Sequence, residues 1–251
     1  MPSAETVARW AEQTPPGFQF CPKLPQTITH VKRLVDVQQD TEAFLERMSG
    51  LGDRLGPLFI QLPPSFGPQD SGNLSDFLGL LPATRPVCVE VRHRAWFSEA
   101  GRPRLNALLS QHNAARVVID TRGVREGGKE GTGSQTPRTA ARATGSRETA
   151  GEAVVRSRTQ KPDLPIQPDL TAAFAFVRLI MHPQAELNEP IFVEWAQRSA
   201  EWLAGGTSVF VFTHCPDDVQ SPIFARELHA RISALTPVDP LPADPVQGTL
   251  L

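Results

Sequence analysis

Glu90 and Arg92 stand two residues apart in the run Pro86-Val-Cys-Val-Glu-Val-Arg-His-Arg-Ala-Trp-Phe97. Residues two apart on an extended strand share a face, so Val87, Val89 and Val91 take one side and Cys88, Glu90 and Arg92 the other. A carboxylate and a guanidinium on a buried strand are costly unless they pair or meet a ligand. The same design recurs along the chain. Lys23 closes Phe18-Gln-Phe-Cys-Pro-Lys23, and Gln61 stands near the end of Leu58-Phe-Ile-Gln-Leu-Pro63. Asp120 ends Arg116-Val-Val-Ile-Asp120, with Arg122 just beyond it. Arg178 lies within Phe174–Ile180, and His214 ends Ser208-Val-Phe-Val-Phe-Thr-His214.

This set is equipped for general acid–base work by Glu90, Asp120 and His214. Lys23, Arg92 and Arg178 would hold an anion, with His30, Gln61, His93, Arg122 and His182 as further ligand-binding candidates. The competing expectation is that the same groups satisfy one another as a structural polar plug. A divalent metal could draw on His30, Glu90, His93, Asp120, His182 and His214, but only by convergence in space. No His-Glu-x-x-His or His-x-His spacing occurs, and no cofactor is specified. Cys215 adjoins His214, yet neighbours on a strand point to opposite faces, so an inert thiol is expected there.

The elements that must position these residues follow from periodicity. Apolar strands are expected at 18–23, 58–62, 87–92, 116–120, 174–180 and 208–214, separated by amphipathic helices. That alternation specifies a parallel α/β sheet covered by helices. No Gly-x-Gly-x-x-Gly follows a strand and no Gly-x-x-x-x-Gly-Lys-Ser/Thr is present, which disfavours the nucleotide-binding open sheets. Such units build either an open doubly wound sheet or a closed barrel, and about six parallel strands are counted where eight would close a TIM-type β/α barrel, which would leave a barrel incomplete. Their carboxyl ends would gather the polar residues into one mouth. The chain reads as one domain over 1–251, with a disordered insertion at 123–160 and an irregular, proline-rich tail at 236–251.

Composition sets the outer bounds. The 251 residues are 40% hydrophobic with a formal net charge of -2, which supplies no overall drive toward nucleic acid or membrane. There is no signal-peptide core near Met1 and no apolar run long enough to span a bilayer. Cys21, Cys88 and Cys215 are far apart and form no Cys-x-x-Cys pair, as expected of reduced thiols in the cytoplasm.

Three ordered strings carry a family resemblance: Phe20-Cys-Pro-Lys-Leu-Pro-Gln-Thr-Ile-Thr-His30, Gly56-Pro-Leu-Phe-Ile-Gln-Leu-Pro-Pro-Ser-Phe66 and Val89-Glu-Val-Arg-His-Arg-Ala-Trp96. With Phe176-Val-Arg-Leu179 and Thr213-His-Cys-Pro-Asp-Asp218, they resemble the YecE-like family, a domain of unknown function (DUF72). The resemblance implies a single TIM-type barrel and supplies no reaction. That family normally opens with a Gly-Thr-Ser-Gly-Trp-like strand and a tyrosine-rich segment. Neither occurs here, and the chain contains no tyrosine, so the first two strand units are expected to be missing. Three functions are carried forward. One is a site for a small anionic or phosphate-bearing ligand, with hydrolysis as its reaction. The second is a nucleic-acid-binding barrel of the metal-dependent endonuclease IV type, and the third an inactive fragment.

Overall fold

The structure is a computed structural model and describes residues 1–126, 150–216 and 218–241. In chain order the elements are α1 (Ala4–Gln13), α2 (Gln38–Ser49), β1 (Leu58–Gln61), α3 (Ser71–Leu80), β2 (Val87–Glu90), α4 (Gly101–Gln111) and β3 (Ala114–Asp120). They continue with α5 (Arg122–Glu126), α6 (Ala150–Gln160), β4 (Phe174–Ile180), α7 (Glu189–Ala204), β5 (Ser208–His214) and α8 (Ser221–Ser233). The fold is therefore α/β. Helix boundaries follow local chemistry. Ser3 caps α1 by accepting the Thr6 N–H, and Pro190 and Pro222 occupy the first turns of α7 and α8. None of these helices is long and apolar enough to cross a membrane.

The chain divides into two compact units. The first comprises Met1–Asp120 and Pro162–Val177, the second Thr121–Lys161 and Arg178–Leu251, so β4 contributes to both. In the first unit the hydrogen-bonded strand order is β1-β2-β3-β4, with β1–β2 and β2–β3 parallel. Leu58, Ile60, Val87, Val89 and Ala114 join Leu74, Phe77, Leu105 and Leu109 in one buried cluster, which marks the helix-facing side of the sheet. On the other side Phe59 of β1 stacks on Phe176 of β4 with ring centroids 5.6 Å apart. Three strand spacings separate these strands, about 14 Å in a flat sheet, so the sheet of this unit must curl toward that face.

The expected strand at 18–23 is not formed. Only two parallel bridges remain, Phe20↔Leu55 and Lys23↔Phe59, so five strands rather than six are formed among the described residues. The bridges are three residues apart on one side and four on the other. An extra residue is therefore bulged at Gly56-Pro57-Leu58, and neither Pro22 nor Pro57 has an N–H to continue a ladder. The backbone is nonetheless tied in, with Phe59 N donating to Pro22 O and Leu24 N to Phe59 O.

Arg116 begins the charged run of β3 on the helix-facing side and is 2% exposed. Its guanidinium donates to Asn106 Oδ1 (2.9 Å) and Gln167 Oε1 (2.7 Å), meets Asp169 Oδ2 at 3.2 Å, and lies over the Phe97 ring. Burial pulls its pKa down to about 10, against the opposing pull of Asp169. Every one of these partners is structural, and they pin the segment around Gln167 and Asp169 to α4 and β3.

In the second unit α7 and α8 pack through Phe192 and Phe224, whose rings meet edge-on at 6.0 Å. The insertion is partly a correction. Its described ends, Arg122–Glu126 and Ala150–Gln160, are helices. Val124, Ala153 and Val154 are buried, Arg158 donates to Val124 O, and Arg125 to Lys161 O. These few apolar residues suffice because they fall on one face of each short helix and the arginines cap exposed carbonyls. The rest of the expected disordered stretch lies outside the described residues, as does the tail beyond Leu241. Residues 236–241 carry no regular element.

Candidate functional site

The carboxyl ends of β1 and β2 hold a connected polar chain. Gln61 and Glu90 are the last residues of their strands and are in register, so they are same-face neighbours. Lys23, bridged to Phe59, reaches forward to Gln61. Lys23 Nζ donates to Gln61 Oε1 at 2.6 Å, Gln61 Nε2 donates to Glu90 Oε1 at 2.7 Å, and Arg92 Nε donates to the same Oε1 at 2.7 Å. The end groups dictate the amide's orientation: an ammonium can only donate and a carboxylate can only accept. Glu90 is fully buried, whereas the Arg92 side chain is 14% exposed. Glu90 is thus the anchor and Arg92 the group nearer water. With Nε committed, the four Nη hydrogens of Arg92 are the donors suited to a planar or tetrahedral oxyanion.

His30 lies beside this chain, carried by a single π-helical turn, Thr27–Val31, where the sequence suggested only a loop. Burial, and then the charges of Lys23 and Arg92, hold its imidazole below the usual histidine range. The turn leads into Arg33, Leu34 and Asp36, all with positive φ (51°, 66° and 52°). Such conformations are unfavourable for side chains of this size and persist only when neighbours enforce them. The enforcement is visible. Arg33 donates to Ser65 Oγ and to Asp70 Oδ2, each at 2.9 Å, and lies over Phe66. Trp96, fully buried, donates to Phe66 O at 2.9 Å. The loop bearing His30 and the loops after β1 and β2 are thereby clasped together.

Of the sequence candidates, Lys23, Gln61, Glu90 and Arg92 are brought into direct contact in the first unit, with His30 close by. His93 is employed differently: its Nδ1 accepts the Ala95 N–H at 3.1 Å and caps the short 3₁₀ turn Arg94–Phe97. Asp120 is buried at the end of β3. The register Val89↔Arg116 assigns it, by count, the parity of Arg116, opposite to that of Glu90.

The other candidates belong to the second unit. Arg178 is buried on β4, and His214 ends β5, where its carbonyl accepts the Met181 N–H at 2.7 Å. His182 Nδ1 accepts the Gln184 N–H, and Asn188 bridges its backbone. Desolvation, more than the nearby Arg158 charge, holds the His182 imidazole below its usual range, against the Gln184 bond. Arg122 is ion-paired to Glu194 at 2.7 Å. Among the described residues no group of three His, Cys, Asp or Glu side chains is arranged to hold a metal ion. Sequence reasoning missed Thr29, Arg33, Ser65 and Asp70. None follows a strand periodicity, and only the density of polar residues after 23–30 and 61–66 could have pointed to them.

Comparison with known proteins places this geometry in context. Residues 1–246 match the family model described as "Protein of unknown function DUF72". The chain is 33% identical over 252 residues to the UPF0759 protein YecE of Escherichia coli (strain K12), spanning 100% of this chain and 85% of that protein. Among solved structures it is similar to a DUF72 family protein from Enterococcus faecalis V583, with a TM-score of 0.63 and 15% identity, over 93% of this chain and 84% of that one. A DUF72 family protein from Thermotoga maritima MSB8 gives a TM-score of 0.63 and 20% identity, over 93% and 80% of the two chains.

Proposed function

The chain belongs to the DUF72 family, and we propose that its first unit binds a small oxyanion, such as a phosphate-bearing metabolite, between Arg92 and Lys23. The observation that supports this reading is the hydrogen-bonded series Lys23–Gln61–Glu90–Arg92, anchored on a fully buried carboxylate. Two cations held by one acceptor network keep their side chains pre-positioned, so a ligand does not have to order them on arrival. In this reading Glu90 is a positioning residue. Its Oε1 already accepts from two donors, Gln61 and Arg92. Hydrolysis of a bound ester is the finer reading and requires a separate base.

Calorimetric titration with sulfate at neutral pH tests binding. Arg92→Ala and Lys23→Ala should each weaken sulfate by about tenfold or more, the equivalent of about 1.4 kcal/mol. Equal affinity in wild type and both variants would overturn the assignment.

A further inference from the structure

The segment after Lys23 is strained and lightly held. Between Thr29 and Val37 the only buried side chain is Leu34, while Val31 and Val35 are exposed. Arg33, Leu34 and Asp36 lie in the left-handed region, with φ of 51°, 66° and 52°. That region is disfavoured about tenfold for an ordinary L side chain, and somewhat less for aspartate. Internal hydrogen bonds run from Lys32 N to Thr27 O (2.9 Å), from Leu34 N to Ile28 O (3.0 Å) and from Val35 N to Lys32 O (3.0 Å).

Arg33 fastens this segment to the loop after β1. Its Nη1 donates to Ser65 Oγ at 2.9 Å, and its Nη2 donates to Ser65 O at 3.2 Å and to Asp70 Oδ2 at 2.9 Å. The guanidinium also lies 5.4 Å from the centroid of the Phe66 ring. The receiving side is itself braced, because Gly67 N donates to Asp70 Oδ2 at 2.8 Å. The Arg33 and Asp70 side chains are 33% and 16% exposed, so water can replace their contact without stranding a buried charge. The two loops joined here are those that follow Lys23 and Gln61, and those residues are already bonded Nζ to Oε1. Arg33 therefore closes a ring of chain that runs from Lys23 through 24–33 to Ser65 and back through 62–64 to Gln61. Releasing Arg33 opens that ring.

We propose that residues 31–36 are a strap that opens and closes beside the oxyanion site, with Arg33 on Ser65 and Asp70 as its latch. The strained residues relax to ordinary backbone when the latch lets go, which keeps the closed form from being locked. The role rests on the oxyanion reading above: the open strap admits the anion, and closure excludes water from the anion and Lys23. Their attraction is stronger with water excluded, so the ligand favours the closed form.

Hydrogen exchange at the Lys32, Leu34 and Val35 amides measures the opening, with the amides of β1 and β2 as the internal reference. Asp70→Asn and Arg33→Gln should each speed exchange in the strap by about fivefold or more and leave the reference amides unchanged. Saturating sulfate should slow strap exchange in the wild type, and by less in Arg33→Gln. Equal strap exchange in the wild type and both variants would overturn the latch. Sulfate that binds by calorimetry yet leaves strap exchange unchanged would overturn the strap's role and leave the oxyanion site standing. Sulfate that does not bind at all would overturn both.

Discussion

Replacing Arg92 by alanine removes one charged partner of the buried Glu90 carboxylate, and the cost can be worked from the structure. Glu90 is fully buried and Arg92 Nε is 2.7 Å from its Oε1. Removing one partner of a buried ion pair costs about 3–5 kcal/mol, because the remaining charge loses its compensation. Arg92 is not wholly withdrawn from water, with 14% of its side chain exposed, so water can enter the vacated space and the lower end applies, about 3 kcal/mol. For a chain of this length that corresponds to a fall of about 6–12 °C in Tm. Glu90→Gln should cost less, about 1–2 kcal/mol, since Arg92 can turn toward solvent and the amide can keep one bond. In the double variant nothing charged is left buried at this position. Its cost should therefore fall short of the sum of the singles by about 2 kcal/mol. Urea unfolding of the four proteins measures this cycle. Trp10 and Trp96 lie in the first unit, so a Trp195→Phe, Trp202→Phe background reports that unit's transition by fluorescence. An Arg92→Ala cost below about 0.5 kcal/mol, or costs that add within the usual 0.5 kcal/mol, would refute the buried-anchor reasoning.

Two further outcomes can be checked independently. A Cβ on Gly123 would stand 2.5 Å from Ile180 O and 2.9 Å from Met181 Cα, backbone that cannot move aside. Gly123→Ala should thus destabilise the second unit by about 1–3 kcal/mol, and unchanged thermal unfolding would count against the close packing of α5 on the end of β4. His30 and His182 both have imidazoles held below the ordinary value of 6.5, chiefly by desolvation. The unfolded chain therefore binds protons at these positions more readily than the folded one. Their stabilising contribution is complete above pH 6.5 and is lost as pH falls through the lower folded values. His30→Gln should flatten that part of the stability–pH curve, and an unaltered curve would show that His30 is not desolvated.

Much of the architecture was written in the order of residues. Strands at 174–180 and 208–214 are expected from continuous apolar runs and are observed as Phe174–Ile180 and Ser208–His214. The helices are legible from caps, prolines and apolar spacing, which act within one or two turns of chain. The shared face of Glu90 and Arg92 is also local, because alternation along a strand needs no tertiary information. The three ordered motifs likewise identify the family from sequence.

Other features depended on what the chain meets in three dimensions. Whether 18–23 forms a strand depended on its partner, where Pro57 and a bulged residue interrupt the ladder and leave only two bridges. The helical ends of the insertion are tied together across a long separation in sequence by Arg158, which donates to Val124 O, and Arg125, which donates to Lys161 O, while Val124, Ala153 and Val154 are buried. The sides of the sheet follow from register. Arg116 and Glu90 look alike in sequence, as buried charges on apolar strands. Pairing Val89 with Arg116 sends one toward the helices and the other toward Gln61 and Arg92. Periodicity gives each strand two faces, but only the packing of neighbouring strands and helices decides which face a given charge occupies and which partners it meets there.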